Sequence, residues 1–204
     1  MGIRSATNSI TRYRVSGKLA APIHETVFQA LQANAMPAIE DDVSDMVAGW
    51  TSVAKPFTPD FEGLSFVFGT YMIFSLRIDK KSIPAKMIQK HCAQMAARRL
   101  EETGRAFLSR DEERAIKDHI IHKLNRRVPA TPNIYDLIWN HETQELWFFS
   151  NLKAANEALE TLFFQSFELH LLRMFPYTMA ELLAGLNPSE RDQLKNLEPT
   201  DFIG

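Results

Sequence analysis

Residues 133–167, "NIYDLIWNHETQELWFFSNLKAANEALETLFFQSF", decide the fold class. Two apolar runs flank the polar turn "NHETQE", the pattern of a β-hairpin. "NLKAANEALETLFFQSF" (151–167) then changes to helical spacing, with Leu159, Leu162 and Phe163 facing inward. A hairpin closed by a helix points to an α+β protein. Trp139, Trp147, Phe148 and Phe149 fall in the hairpin, where core packing is the default for aromatics. A base-stacking platform would need exposed aromatics interleaved with cations, and only His141 stands nearby.

A similar order recurs upstream. "SITRYRVSGKL" (9–19) alternates as a strand, and "APIHETVFQALQAN" (21–34) places Ile23, Val27 and Leu31 on one helical face, with Pro37 limiting it. The two stretches hint at duplicated α+β units, although their residues do not repeat. Between them, 39–63 is acidic and broken by Pro56, Pro59 and Gly63; it reads as a long connection with a short strand near Trp50. "LSFVFGTYMIFSLRIDKK" (64–81) suits one or two strands, with a hairpin around Gly69 as one arrangement. After the central hairpin and helix, "ELHLLRMFP" (168–176) reads as a strand. "TMAE" (178–181) and "NPSE" (187–190) open short helices.

The middle of the chain is different in character. "SIPAKMIQKHCAQMAARRLEETG" (82–104) starts at Ser82 and Pro84 and stops at Gly104; Ile88, Cys92, Met95, Ala96 and Leu100 form its apolar sector. "SRDEERAIKDHIIHKLNRRV" (109–128) opens with a Ser109–Glu112 capping box and lines Ile116, Ile120, Ile121, Leu124 and Val128 on one side. A short turn joins them into an αα-hairpin. The expectation is therefore α+β, with antiparallel β-sheet units, packed helices and a central basic αα-hairpin. The divisions are 1–81 (α+β), 82–128 (helical hairpin), 129–176 (second α+β unit) and 177–204 (helical tail).

Composition sets outer limits. The chain has 204 residues, 45% of them hydrophobic, enough for one large or two small cores. Its one cysteine, Cys92, cannot form an internal disulfide and fits a reducing cytosol. "MGIRSATNSI" has no apolar signal-peptide core, and Ala6 breaks the myristoylation pattern. "LSFVFGTYMIFSL" (64–76) is too short and interrupted to span a bilayer. A soluble cytoplasmic protein is expected. The formal net charge is −2, yet it is unevenly spread. Residues 77–127 hold 14 Lys/Arg against 7 Asp/Glu, a net of +7; the remainder holds 9 against 18, a net of −9. Bulk charge conceals a basic centre between acidic flanks.

Three chemistries compete for the helix 109–128. His119, His122 and Asp118 have partial metal-ligand spacing, but Lys123 and Arg126 share that face and a divalent ion needs more ligands. Glu112, Glu113 and Asp118 could act as acids or bases, but acids in a first turn serve the cap and the helix dipole. The third reading is a grip on a polyanion. Lys123 and Arg126 join Lys86, Lys90 and Arg98 of the preceding helix, and Arg105 and Arg110 at the turn, as phosphate contacts; the alternative is a solvated face. Arg99 and Arg127 project toward the apolar sectors, to snorkel or to pair with acids. Cys92 lies in an apolar sector and reads as a structural thiol. No phosphate-binding glycine loop, nucleophile elbow or HExxH occurs. The residues therefore point to no catalytic group, no cofactor and no metal.

In order and spacing, several segments resemble the RdgC-type recombination-associated proteins of bacteria. They are "ITRYRVSGKL", "AGWTSV", "IPAKMIQKHCAQMAARRLEETGRAFLSRDEERAIKDHIIHKL" and "IYDLIWNHETQELWFFSNLKAANEALETL". The resemblance spans about residues 10–176. It implies a DNA-binding protein without sequence preference, forming ring-like homodimers around double-stranded DNA, restraining a RecA-type recombinase and associating with the nucleoid. Some members are described as exonucleases, but no carboxylate–metal constellation stands out here. Two departures accompany it. Members are typically about half as long again, so a short form lacking the C-terminal third is expected, which leaves ring closure open. "KLNRRVPATPN" also replaces the family's Leu-Pro-Arg-aromatic run. The rival class is a protein-interaction module pairing with a full-length relative or a recombinase through acidic flanks at 39–45, 142–145 and 157–160. A metal-dependent exonuclease is the third.

Overall fold

In a computed structural model, residues 2–3, 5–37 and 45–198 are described. The acidic flank expected at 39–45 lies outside them except for Asp45, as do the last residues of the tail. The described strands are β1 (Thr11–Ser16), β2 (Met46–Thr51), β3 (Val67–Phe68), β4 (Tyr71–Lys80), β5 (Thr131–Asn140), β6 (Glu145–Phe148) and β7 (His170–Arg173). The helices are α1 (Ile23–Ala33), α2 (Ala85–Thr103), α3 (Arg110–Asn125), α4 (Lys153–Phe167), α5 (Pro176–Leu183) and α6 (Pro188–Lys195). The strand order is β2-β4-β5-β6-β1-β7, with β3 paired to β4. The fold is α+β. Among the described residues no helix is long and apolar enough to cross a membrane.

The chain divides into two compact units. The first comprises residues 1–35, 50–76 and 134–204; the second comprises 36–49 and 77–133.

In the first unit both strand-then-helix stretches meet. β5 and β6 form the expected hairpin, with Leu137 opposite Phe148 and Trp139 opposite Leu146. Asn140 builds its turn, its Oδ1 accepting from the N–H groups of Glu142 (3.0 Å) and Thr143 (3.1 Å). β1 is inserted between β6 and β7, antiparallel to both. β3 and β4 make a second hairpin whose turn holds Gly69 at φ 63°, a conformation open to glycine at little cost. Period-two burial sends Tyr13, Val15, Trp139, Leu146 and Phe148 inward. Trp147 alternates outward and is 41% exposed, an exception to the packing expected of the hairpin aromatics.

The first unit's core lies between these strands and α4. Leu159, Leu162 and Phe163 are buried as their spacing requires. Trp139 meets the rings of Phe163 and Phe167 at 5.0 and 5.3 Å, and Trp50 meets Phe74 edge-on at 5.1 Å. Such offset and edge geometries suit the ring quadrupole. Trp50 Nε1–H donates to Ser166 Oγ at 2.7 Å, so its polar edge is satisfied. One polar network crosses this core. Tyr13 Oη lies 2.6 Å from Asn156 Oδ1 and 2.9 Å from Glu160 Oε1, while Asn156 Nδ2 donates to the carbonyls of Leu152 (2.8 Å) and Ser150 (3.3 Å). Arg173 donates to the same Glu160 oxygen at 2.6 Å and stands over the Tyr13 ring. Burial first, then Glu160, pushes the Tyr13 phenol well above its ordinary value.

The second unit is dominated by the helical hairpin. α3 buries Ile120 and Leu124. α2 buries no residue fully; Ile88, Cys92, Met95, Ala96 and Leu100 are half-buried. Asp45 ties in the segment before β2: its carbonyl accepts from the Lys81 N–H at 2.9 Å, and its carboxylate accepts from Asn125 Nδ2. Buried Asp79 is held by Arg77 in two hydrogen bonds of 2.6–2.7 Å.

Candidate nucleic-acid interface

α2 forms because residues 85–103 lack Gly and Pro and repeat apolar positions at helical spacing. Pro84 is its N-cap, and Gly104, at φ 64°, ends it in the left-handed conformation. α3 begins six residues later, at Arg110. Ser109 Oγ accepts from the Glu112 N–H at 3.3 Å, and Glu112 Oε2 accepts from the Ser109 N–H at 2.9 Å, completing the capping box that the spacing predicts. Arg105 also binds Glu112. The Ser109 amide, Arg105 and the Ser109 hydroxyl together hold the Glu112 carboxyl down to about 2. This acid is committed to the cap.

The seven candidate cations all lie on this hairpin, and all are exposed. Lys86 and Lys90 stand one turn apart on α2, with Arg98 two turns further. Arg110 opens α3, Lys123 lies in its last turn and Arg126 is its C-cap. Six of the seven make no ion pair among the described residues; Arg105 is the exception, through Glu112. α2 and α3 pack against each other, so both cation sets belong to one element. Arg99 and Arg127, expected against the apolar sectors, are exposed and make no ion pair among the described residues. The half-covered apolar side of α2 leaves Arg99 in solvent rather than against a core.

Three further exposed residues belong to the hairpin. Arg114 and Lys117 are exposed and make no ion pair among the described residues, and with Arg110 they follow an i, i+4, i+7 stripe of α3. That spacing is legible in "RDEERAIK". Phe107 is 80% exposed in the turn joining the helices, between Arg105 and Arg110. Its signal was a large apolar residue inside the polar run "GRAFLSR".

His119 and His122 are exposed on the polar side of α3. Among the described residues no group of three His, Cys, Asp or Glu side chains could hold a metal ion. Cys92 is half-buried and free. The arrangement supplies exposed, always-charged donors along two packed helices and an exposed aromatic at their junction.

Comparison with known proteins places the whole arrangement. No curated protein matches the chain. The family described as "Putative exonuclease, RdgC" matches residues 8–180, which takes in the second unit with its helical hairpin and most of the first. The chain therefore belongs to the RdgC family of recombination-associated proteins.

Proposed function

We propose that this protein binds double-stranded DNA without strong sequence preference, through the phosphate backbone, using the α2–α3 hairpin. The observation that carries the reading is the set of six exposed cations without acidic partners among the described residues: Lys86, Lys90, Arg98, Arg110, Lys123 and Arg126. Charges already paired have little left to offer a phosphate; these have their full charge available. Arg114 and Lys117 extend the same supply. Phe107 adds an apolar wedge or a stacking surface at the turn, a contact any base step accepts. In the cell this activity fits a nucleoid-associated homodimer that modulates a RecA-type recombinase.

Affinity measured across salt concentrations tests the reading. Six phosphate contacts give a slope of log Kobs against log salt of about −5. No binding at low salt, or a flat salt dependence, sinks it. Size-exclusion chromatography with light scattering, with and without a short duplex, reads the oligomer: a mass of one chain throughout removes the homodimer.

A second reading, a protein-interaction module, is favoured by a different observation. The apolar side of α2 is only half-covered, and Met87 is 39% exposed. Charge reversal at Lys86 and Arg126 separates the two, because it abolishes phosphate binding and spares an apolar contact. The nuclease reading stands on the family's description alone. Incubation with labelled duplex and a divalent metal tests it: shortened products establish it, and intact DNA removes it.

A further inference from the structure

The first unit contains a cavity of about 230 Å3 that the DNA reading does not use. Val15, Leu19, Ile23, Leu169 and Trp139 make its apolar walls. Lys18, His141 and Gln144 supply its polar part, and no Asp or Glu among the described residues lines it. Gly17 completes the wall at φ 123°; a Cβ there would stand 2.5 Å from Leu169 Cδ2.

Two buried ring nitrogens next to this cavity have no partner among the described residues. Trp139 is 2% exposed, and its Nε1–H finds no acceptor among the described residues. His24, whose ring meets that of His141 edge-on at 5.8 Å, has a buried Nε2 in the same condition. Buried donors and acceptors are nearly always paired, and an orphan in a native core calls for an explanation. His141 Nδ1 lies 3.1 Å from the Thr70 carbonyl and donates to it, which fixes the ring in the cavity wall. Lys18 is exposed, with no acidic partner among the described residues.

We infer that this cavity is a binding site for a small amphipathic anion, a flat apolar body bearing one carboxylate. The apolar walls take the body, and the Lys18 ammonium and the Gln144 amide take the charge. The size is below the range of about 300–1,000 Å3 typical of pockets for drug-sized ligands, so the occupant is a fragment-sized molecule.

Benzoate, benzyl alcohol and acetate test the site on the full chain, with the three tryptophan indoles labelled with 15N. Benzoate shifts the Trp139 indole resonance saturably and leaves that of Trp50, already bonded to Ser166, in place. Benzyl alcohol binds about tenfold more weakly, acetate gives no saturable shift, and Lys18→Glu weakens benzoate about tenfold. Lys18 is exposed, so the variant keeps the fold, and unchanged Trp50 and Trp147 signals verify this. The inference is overturned if Trp139 shows no saturable response, if benzyl alcohol binds as tightly as benzoate, or if Lys18→Glu binds benzoate like the parent.

Discussion

Removing the Tyr13 hydroxyl is the sharpest test of how the first unit is held. Tyr13→Phe keeps the ring in its buried place on β1 and deletes only Oη. That atom has a single hydrogen between two acceptors, Asn156 Oδ1 at 2.6 Å and Glu160 Oε1 at 2.9 Å. Glu160 keeps Arg173 at 2.6 Å, so it loses little. Asn156 is 1% exposed, and its Oδ1 is left buried with no donor. An unsatisfied buried acceptor costs about 1–3 kcal/mol, so Tyr13→Phe destabilises by about 2 kcal/mol. Asn156→Ala also takes one donor from each of the carbonyls of Ser150 and Leu152, which keep the Thr11 hydroxyl and the backbone N–H of residue 156, and it leaves a gap in the core; it costs about 3 kcal/mol. The double variant costs about 1 kcal/mol less than the sum, because each single change already removes the shared bond. All three tryptophans (Trp50, Trp139 and Trp147) lie in the first unit, so urea unfolding followed by tryptophan fluorescence reads this unit in particular. The midpoint should fall with an unchanged m-value. A cost below about 0.5 kcal/mol for Tyr13→Phe, or additivity of the two changes, would refute the argument that the hydroxyl matters through Asn156.

The same phenol has a pH signature. Its folded pKa is raised above the ordinary tyrosine value, so its contribution is full below about pH 10 and falls as pH rises beyond it. Tyr13→Phe should flatten the alkaline loss of stability in urea titrations, and an unchanged loss counts against the assignment. Glu112 behaves oppositely: its carboxyl is held at about 2, so the α3 cap is complete above the unfolded value near 4.5 and fails as pH falls toward 2. The Ser109 amide resonance should titrate with a midpoint near 2 in the parent and not at all in Glu112→Gln. Phe107→Ala should weaken duplex binding about tenfold, roughly 1.4 kcal/mol, and leave the salt slope unchanged, since it removes stacking rather than a charge. Unaltered affinity in a filter-binding or anisotropy assay would remove Phe107 from the interface. Gly104→Ala places a Cβ at φ 64° with nothing near it; the left-handed conformation alone costs about 1 kcal/mol, read as a lower thermal midpoint for α2 and α3.

Most elements were legible because they rest on local rules. Alternation marked β1 and the β5–β6 hairpin, and apolar spacing marked α1, α2, α3 and α4. Ser109 with Glu112 announces a capping box that is formed, and the "NPSE" start signal opens α6, where Asn187 and Glu190 make a second one. α5 begins at Pro176, before the "TMAE" signal, because Pro at a first helical position needs no N–H. The candidate cations were also legible, since exposure on a polar helical face follows from period and composition.

What lay beyond reach was set by partners distant in the chain. Nothing local places β1 between β6 and β7, because strand pairing joins residues more than a hundred positions apart. Arg99 was expected at an apolar sector, but a wheel cannot say how much of a helix its neighbours cover. Core packing is the expectation for Trp147 as for Trp139, yet only the pairing decides which side of a strand meets a core. Arg105 and Arg110 read alike as cations, and only folding the turn gave Arg105 to Glu112. The sequence by itself determined the element types, the caps and the basic centre, because propensity, period and charge act within one or two turns. The tertiary structure alone decided strand order, which charges stay unpaired and where a buried ring nitrogen is left without a partner, because each depends on what another part of the chain brings near.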